Sequence, residues 1–114
     1  MDITTEDRAD TSIVTVNEDR IDAAIAIQFK DRMREVIDAS NARLILDLSA
    51  VSFVDSSGLG AIVAAMKMAG NDRKLELAGL TPTVEKVFRL TRMDSVFTIH
   101  SSVDDAPGIS ENAD

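Results

Sequence analysis

The chain contains no cysteine, tryptophan or tyrosine, and its only histidine is His100. These absences exclude disulfide bonds, thiolate zinc sites and cysteine nucleophiles, and one imidazole is too few for most metal sites and catalytic triads. A chain without cysteine also agrees with a reducing compartment. We therefore expect no metal and no other cofactor, and we expect His100 to be a packing or edge residue.

Long apolar runs are missing as well. No stretch approaches the roughly 20 residues that a membrane-spanning helix needs, and the first residues lack the basic and apolar regions of a signal peptide. The expected location is the cytoplasm, without a membrane partner. At 114 residues, with 45% hydrophobic and 28% charged residues, the composition is that of one globular domain.

Positive charge is scarce, since 12 lysines and arginines stand against 20 acids and the formal net charge is −8. The bases alternate with acids, as in residues 30 to 35, whereas binding to a polyanion requires clustered bases. Four phenylalanines as the only aromatic residues do not make a stacking platform for single strands. A nucleic-acid partner is therefore not expected, and a neutral or basic protein partner is.

The residue pattern predicts two initial strands, Ile3 to Thr5 and Ser12 to Val16, separated by a turn over residues 6 to 10. The elements predicted after them are a helix capped by Asp22, a strand over 44 to 48, a helix that ends at Gly70, a strand over 74 to 78, a helix from Pro82 to about Thr91 and a strand over 96 to 100. This alternation predicts an α/β fold in which three or four helices cover a mixed β-sheet. Residues 1–106 are predicted to form one domain and residues 107–114 a flexible acidic tail.

The most informative segment is Phe53-Val54-Asp55-Ser56-Ser57-Gly58-Leu59-Gly60, where a strand ends and a helix begins. Its glycines permit close approach of another surface, and a helix N-terminus tolerates phosphate. Two interpretations of Ser56 stay open on position alone: a helix cap and a phosphorylation switch. Asp55 has no second titratable group nearby for acid–base work, and the segment lacks the lysine of a nucleotide-binding loop.

Residues 51 to 60, together with 44 to 48, 20 to 23 and 80 to 88, resemble the signature of the STAS family of bacterial anti-sigma factor antagonists. The resemblance extends from residue 3 to about residue 103. It implies a mixed sheet with helices on it. It also implies a cytoplasmic protein that is not an enzyme but binds an anti-sigma factor serine kinase, which otherwise holds a sigma factor.

The resemblance also assigns roles to individual residues. Ser56 matches the hydroxyl that the kinase phosphorylates to end the binding, and a serine phosphatase acting on phospho-Ser56 restores it. The residues expected to contact the partner are Asp22, Asp55, Ser57, Gly58 and Leu59. Two departures from the family pattern are Asp19, where a glycine is common, and Pro107-Gly108, which shortens the region of the family's final helix.

Three alternatives accompany this interpretation. A STAS-domain subunit of a signalling or lipid-transport complex would have the same fold without a phosphorylation switch. A small enzyme is disfavoured because one histidine, no cysteine and no paired carboxylates leave little to catalyse with. Ser57 is the second candidate for phosphorylation, although it lies one residue deeper in the predicted helix, where we expect a less accessible hydroxyl.

Overall fold

The computed structural model describes residues 1–109 and contains one large β-sheet and one small one. The large sheet consists of β1 (Ile3–Arg8), β2 (Thr11–Val16), β4 (Arg43–Asp47), β6 (Lys74–Ala78) and β7 (Ile99–His100). They lie in the order β1-β2-β4-β6-β7, with β1 antiparallel to β2 and every other neighbouring pair parallel. The small sheet is a parallel pair of two-residue strands, β3 (Arg20–Ile21) and β5 (Phe53–Val54).

Three α-helices connect these strands: α1 (Ala26–Asp38), α2 (Ser56–Ala69) and α3 (Pro82–Leu90). A short 3₁₀ helix, Met93–Ser95, follows α3. The predicted fold class is confirmed, because the molecule is α/β and its mixed sheet is covered by helices.

One face of the sheet carries the main hydrophobic core. Phe29 and Met33 of α1 and Ile62 of α2 pack there against Leu46 and Leu77, and all five side chains are fully buried. Side chains alternate between the two faces of a strand, so every second residue of β4 and β6 faces away from this core. The near-continuous apolar run of β4 is therefore buried on both sides, as the sequence predicted.

The opposite face carries a smaller core, formed by Ile13, Ile45 and Ala78 and covered by Ala106 and Ile109 from the C-terminal segment. Ile109 is fully buried although it lies beyond the predicted domain boundary at residue 106. The packed part of the chain thus extends at least to residue 109. Residues 110–114 of the predicted tail lie outside the described residues.

A buried carboxylate beside this smaller core, that of Glu76 on β6, connects β6 with β4 and β7. Glu76 is 2% exposed and accepts hydrogen bonds from Nε and Nη2 of Arg43 at 3.1 and 3.0 Å, while Nε2 of His100 lies 2.6 Å from its Oε1. Nη1 of Arg43 donates to the Pro107 carbonyl at 2.5 Å. Burial by itself raises the pKa of Glu76, but the hydrogen bonds and charges of Arg43 and His100 outweigh it, so the pKa lies below its usual value.

The predicted turn over residues 6 to 10 is wrong. β1 continues to Arg8, and the turn consists of Ala9 and Asp10. Residues 6 to 8 form a strand although their side chains are polar, because their backbone pairs with β2, from Glu6 opposite Ile13 to Arg8 opposite Thr11. Charged side chains are acceptable there because β1 lies at the edge of the sheet.

The predicted start of the first helix is also wrong. α1 begins at Ala26, and its N-cap residue Ile25 forms no side-chain cap. Asp22 instead accepts a hydrogen bond from the amide of Ala24 at 3.0 Å, which shapes a turn ahead of the helix. Near the other end of the chain, the strand predicted over 96 to 100 is shorter in the structure, where only Ile99–His100 forms β7.

Candidate functional site

Asp55 is the N-cap of α2. Its backbone is extended, with φ −96° and ψ −174°, and its Oδ1 accepts a hydrogen bond from the amide of Gly58 at 2.8 Å. The amide of Leu59 donates to the Asp55 carbonyl at 2.8 Å, which is the first turn of the helix. Ser56 is therefore the first helical residue, and its interpretation as the helix cap is wrong. Aspartate is as good a capping residue as serine, and here it stands at the position where the strand ends.

The other oxygen of the same carboxylate binds the loop ahead of α1. Oδ2 of Asp55 accepts a hydrogen bond from the amide of Ala23 at 3.1 Å. Because β3 and β5 are parallel and pair Ile21 with Val54, the residues that follow them, Asp22 and Asp55, are carried to the same edge. The structure thus brings together the two aspartates that the sequence assigned to one surface.

Asp22 also forms an ion pair with Arg20, whose Nε lies 3.2 Å from Asp22 Oδ2. The guanidinium of Arg20 also lies over the ring of Phe53, 4.8 Å from its centroid. A cation above an aromatic face is attracted by the ring electrons. Arg20 therefore connects β3, β5 and the Asp22 turn into one surface.

Asp55 is ionised at neutral pH. The hydrogen bond from Gly58, followed by those from Ala23 and Ser57, stabilises the carboxylate and lowers the pKa of Asp55 below its usual value. A carboxylate that is held ionised by several donors is poorly suited to act as a general acid. It places a fixed negative charge directly beside Ser56.

Gly58 permits α2 to lie against β3. It is buried, and a Cβ at this position would stand 1.9 Å from the carbonyl oxygen of Ile21. Only glycine allows such an approach between a helix and a strand. Gly60, by contrast, is exposed, and a Cβ built there would meet no atom within 4 Å. The two glycines of the segment therefore have different reasons to be present.

Ser56 and Ser57 both expose their side chains at the start of α2. Neither hydroxyl forms a hydrogen bond with another residue among residues 1–109. Because both residues are exposed, the expectation that the Ser57 hydroxyl is the less accessible of the two stays a prediction. Leu59, next but one, is partly buried and packs against the main core.

A family model described as STAS domain matches residues 2–106. The chain belongs to the STAS domain family. This confirms the resemblance inferred from the sequence. The match covers every residue of the site described above.

Among curated relatives of this STAS domain is the anti-sigma-F factor antagonist RsfB of Mycobacterium tuberculosis, which is 25% identical over 104 residues that cover 91% of this chain and 84% of RsfB. Among solved structures, an anti-sigma factor antagonist from Mycobacterium paratuberculosis is 28% identical, with a TM-score of 0.81 over 91% of this chain and 88% of that one.

A second solved structure is the anti-sigma factor antagonist SpoIIAA in its unphosphorylated form. It is 21% identical to this STAS domain, with a TM-score of 0.68 over 86% of this chain and 87% of that one. The phosphorylated form of SpoIIAA from Bacillus is matched with a TM-score of 0.61 at 20% identity, over 86% and 90% of the two chains. At these identities the likeness shows the fold alone.

Sequence reasoning missed two apolar residues of this STAS domain. Ile27 in the first turn of α1 is 70% exposed, and Phe53 is 38% exposed. Ala23 and Ala24, which precede α1, are exposed as well. We call Ala23, Ala24, Ile27, Phe53 and Ser56 the switch surface. A signal for Ile27 was present in the sequence, because it falls outside the apolar stripe of Ile25, Phe29 and Met33.

Two other kinds of site are not found in the part of the chain that the structure describes. Residues 1–109 contain no group of three or more histidine, cysteine, aspartate or glutamate side chains arranged to hold a metal ion. Within the same residues, no helix has both the length and the apolar character to cross a membrane.

Proposed function

We propose that this STAS domain is an anti-sigma factor antagonist that binds an anti-sigma factor serine kinase while Ser56 is unphosphorylated. Binding releases the sigma factor, phosphorylation of Ser56 by the kinase ends the binding, and a serine phosphatase restores it. The names of RsfB and of the protein from Mycobacterium paratuberculosis support the antagonist role. The observation that carries the switch is the Ser56 hydroxyl, which is exposed and not used as a cap because Asp55 caps the helix.

The electrostatics of the switch surface support this role. A phosphate adds about −1.5 to −2 charges at neutral pH, and Ser56 already lies beside the ionised Asp55. If the partner places one carboxylate about 4 Å from the phosphate, repulsion costs on the order of 4 kcal/mol per pair of unit charges at an effective dielectric near 20. Such a cost corresponds to roughly a thousandfold loss of affinity.

The fold should survive the modification, because an exposed hydroxyl without hydrogen bonds can be replaced without removing a contact. The solved structures of SpoIIAA in both states support this expectation, since the same fold is matched in each. The change on phosphorylation is therefore expected in binding and not in overall folding.

The apolar part of the switch surface suits a protein partner. Ile27 and Phe53 are large apolar side chains that remain exposed in the isolated domain, so both are available for contact with a protein partner. Both carboxylate oxygens of Asp55 accept hydrogen bonds within the domain, from the amides of Ala23 and Gly58. The proposed role is accordingly that of a binding protein and a kinase substrate.

The test compares wild type with Ser56→Ala, Ser56→Asp and Ser57→Asp as baits in the native cytoplasmic extract, followed by affinity measurements with the purified kinase that is retained. Wild type and Ser56→Ala are expected to bind it, and Ser56→Asp to bind at least roughly a hundredfold more weakly. Incubation with kinase and ATP should place phosphate on Ser56, as mass spectrometry of the peptide reports.

Ser57→Asp is the matched control, because it adds the same charge one residue further along the same helix turn, where Ser57 is also exposed. A loss specific to Ser57→Asp, with phosphate on Ser57, would move the switch to that residue. Retention of the same partners by every variant would contradict the switch and indicate a constitutive subunit of a signalling or lipid-transport complex.

A further inference from the structure

The start of α2 already holds an anion before any modification. The first four amide groups of a helix have no partner within it and attract negative charge. Asp55 lies at this position and takes the Gly58 amide with Oδ1, while its carbonyl takes the Leu59 amide. The Ser57 amide also points toward the Asp55 carboxylate and contributes to its low pKa. Few donors therefore remain for a phosphate on Ser56.

The same carboxylate holds the segment of residues 22–25 in place. Among residues 1–109, the bond from Ala23 to Asp55 Oδ2 is the only side-chain hydrogen bond between this segment and the start of α2. Two of the segment's other hydrogen bonds are internal, from Ala24 to Asp22 Oδ1 and from Ile25 to the Asp22 carbonyl. Its remaining polar contacts lead to α1 and β3, since the Ile25 carbonyl accepts from Phe29 at 2.8 Å and Arg20 Nε lies 3.2 Å from Asp22 Oδ2. Within residues 1–109, the direct link from this segment to the start of α2 is therefore one hydrogen bond to a charged acceptor.

A phosphate on Ser56 would be covalently attached to the residue next to that acceptor. Two anionic groups would then compete for the amides of one helix turn, and their mutual repulsion would be only partly screened, because Asp55 is partly buried. Arg20 is the one cation in β3 and β5, and it is already paired with Asp22. Asp55 accepts the hydrogen bond from Ala23 at 3.1 Å and the one from Gly58 at 2.8 Å. The longer bond, from Ala23, is expected to break first.

We propose that phosphorylation of Ser56 also acts inside the domain, by weakening the bond between Asp55 and Ala23 and loosening residues 22–25. The inference rests on the proposed modification of Ser56 and adds a second effect to it. The phosphate repels the partner, and it also displaces Ala23 and Ala24 of the loosened segment from the arrangement that the partner binds. Asp55 is in this account a positioning residue that links the modified serine to the neighbouring loop.

The experiment measures amide hydrogen exchange by NMR on the isolated domain, with phosphoserine incorporated genetically at position 56. The Ala23 amide is expected to exchange at least roughly tenfold faster in the phosphorylated protein, because its acceptor is weakened. The Leu77 amide, which donates to the Thr98 carbonyl at 2.9 Å within the large sheet, reports global opening and should not change.

Asp55→Asn provides the matched control. The variant removes the charge and replaces one acceptor oxygen by a donor, so Ala23 should exchange fast in it without phosphate, and phosphorylation should add little. If phosphate leaves the Ala23 amide unchanged in the protein with Asp55, the proposal is overturned whatever the variant does. An equal acceleration of Ala23 in the presence and absence of Asp55 would also overturn it.

Failure of the proposed function is recognised separately, because the exchange measurement needs no kinase. If phosphate accelerates Ala23 but leaves kinase affinity unchanged, the internal effect stands and the partner assignment fails. If phosphate abolishes binding but leaves Ala23 protected, the partner switch stands and acts by direct repulsion alone.

Discussion

The carbonyl oxygen of Ile21 occupies the space that a side chain on Gly58 would need, since a Cβ on Gly58 would lie 1.9 Å from it. This contact sets how closely α2 lies against β3, and hence where Ser56 stands relative to Asp22. Gly58→Ala is expected to push the helix away and to lower the free energy of unfolding by about 1 to 3 kcal/mol. Urea denaturation measures the loss, and if the domain binds a kinase as proposed, the affinity for it should fall as well.

Gly60→Ala is the matched control for this substitution. The same methyl group at Gly60 meets no atom within 4 Å, and the residue lies inside α2. Alanine has the higher helix propensity, so Gly60→Ala is expected to raise stability by about 0.5 to 1 kcal/mol. If the two alanine variants changed stability alike, the close approach to Ile21 would not be the reason for glycine at position 58.

The long elements were predictable because each satisfies one period over many residues. The stripe of Phe29 and Met33 located α1, and the apolar run that contains Leu46 identified a strand buried on both faces. The small sheet was not predictable in this way, because β3 and β5 contain two residues each and show no period. Their pairing depends on contacts between distant parts of the chain.

The same limit explains why the sequence alone did not identify the residue that caps α2. Asp55, Ser56 and Ser57 are three successive residues that can cap a helix, and the local sequence does not choose among them. The choice is made by the end of β5 and by the contact of Gly58 with Ile21, which fix where the first turn begins. The sequence identified the segment around Asp55 and Ser56 as the candidate site, whereas the structure was needed to assign the helix cap to Asp55 and not to Ser56.

Ile109 is fully buried on the smaller core, whereas Ile27 is 70% exposed on α1. Ile109→Ala is expected to cost about 2 to 4 kcal/mol of folding stability through lost burial and the cavity left behind. Thermal or urea unfolding measures it, and a cost near zero would show that residues up to 109 do not belong to the folded unit.

Ile27→Ala should show the reverse pattern. An exposed side chain contributes little to folding, so its removal is expected to change stability by less than about 0.5 kcal/mol. If the switch surface binds the kinase as proposed, the same substitution should weaken that affinity by roughly tenfold. Calorimetric titration with wild type and Ile27→Ala distinguishes this outcome from an unchanged affinity, which would place Ile27 outside the interface.

The buried pair of Glu76 and Arg43 should matter more than the exposed pair of Glu35 and Arg32. Glu76 is 2% exposed and bound through two hydrogen bonds by Arg43, whereas the Glu35 side chain is 72% exposed. Glu76→Gln leaves a partly buried guanidinium without its counter-charge and is expected to cost about 2 to 4 kcal/mol. Glu35→Gln, the control, should cost less than about 0.5 kcal/mol.

The cost of Glu76→Gln should also depend on pH, and in one direction. The pKa of Glu76 lies below its usual 4.5 in the folded protein, so folding favours the ionised form. The stabilisation is complete above the unfolded-state pKa and is lost as the pH falls through the lower folded-state pKa. In urea titrations from about pH 6 to about pH 3, the stability difference between wild type and Glu76→Gln should therefore shrink toward the acid end. A difference that stayed constant or grew on acidification would show that the carboxylate gains nothing from Arg43 and His100 on folding, and that its burial is tolerated at a cost.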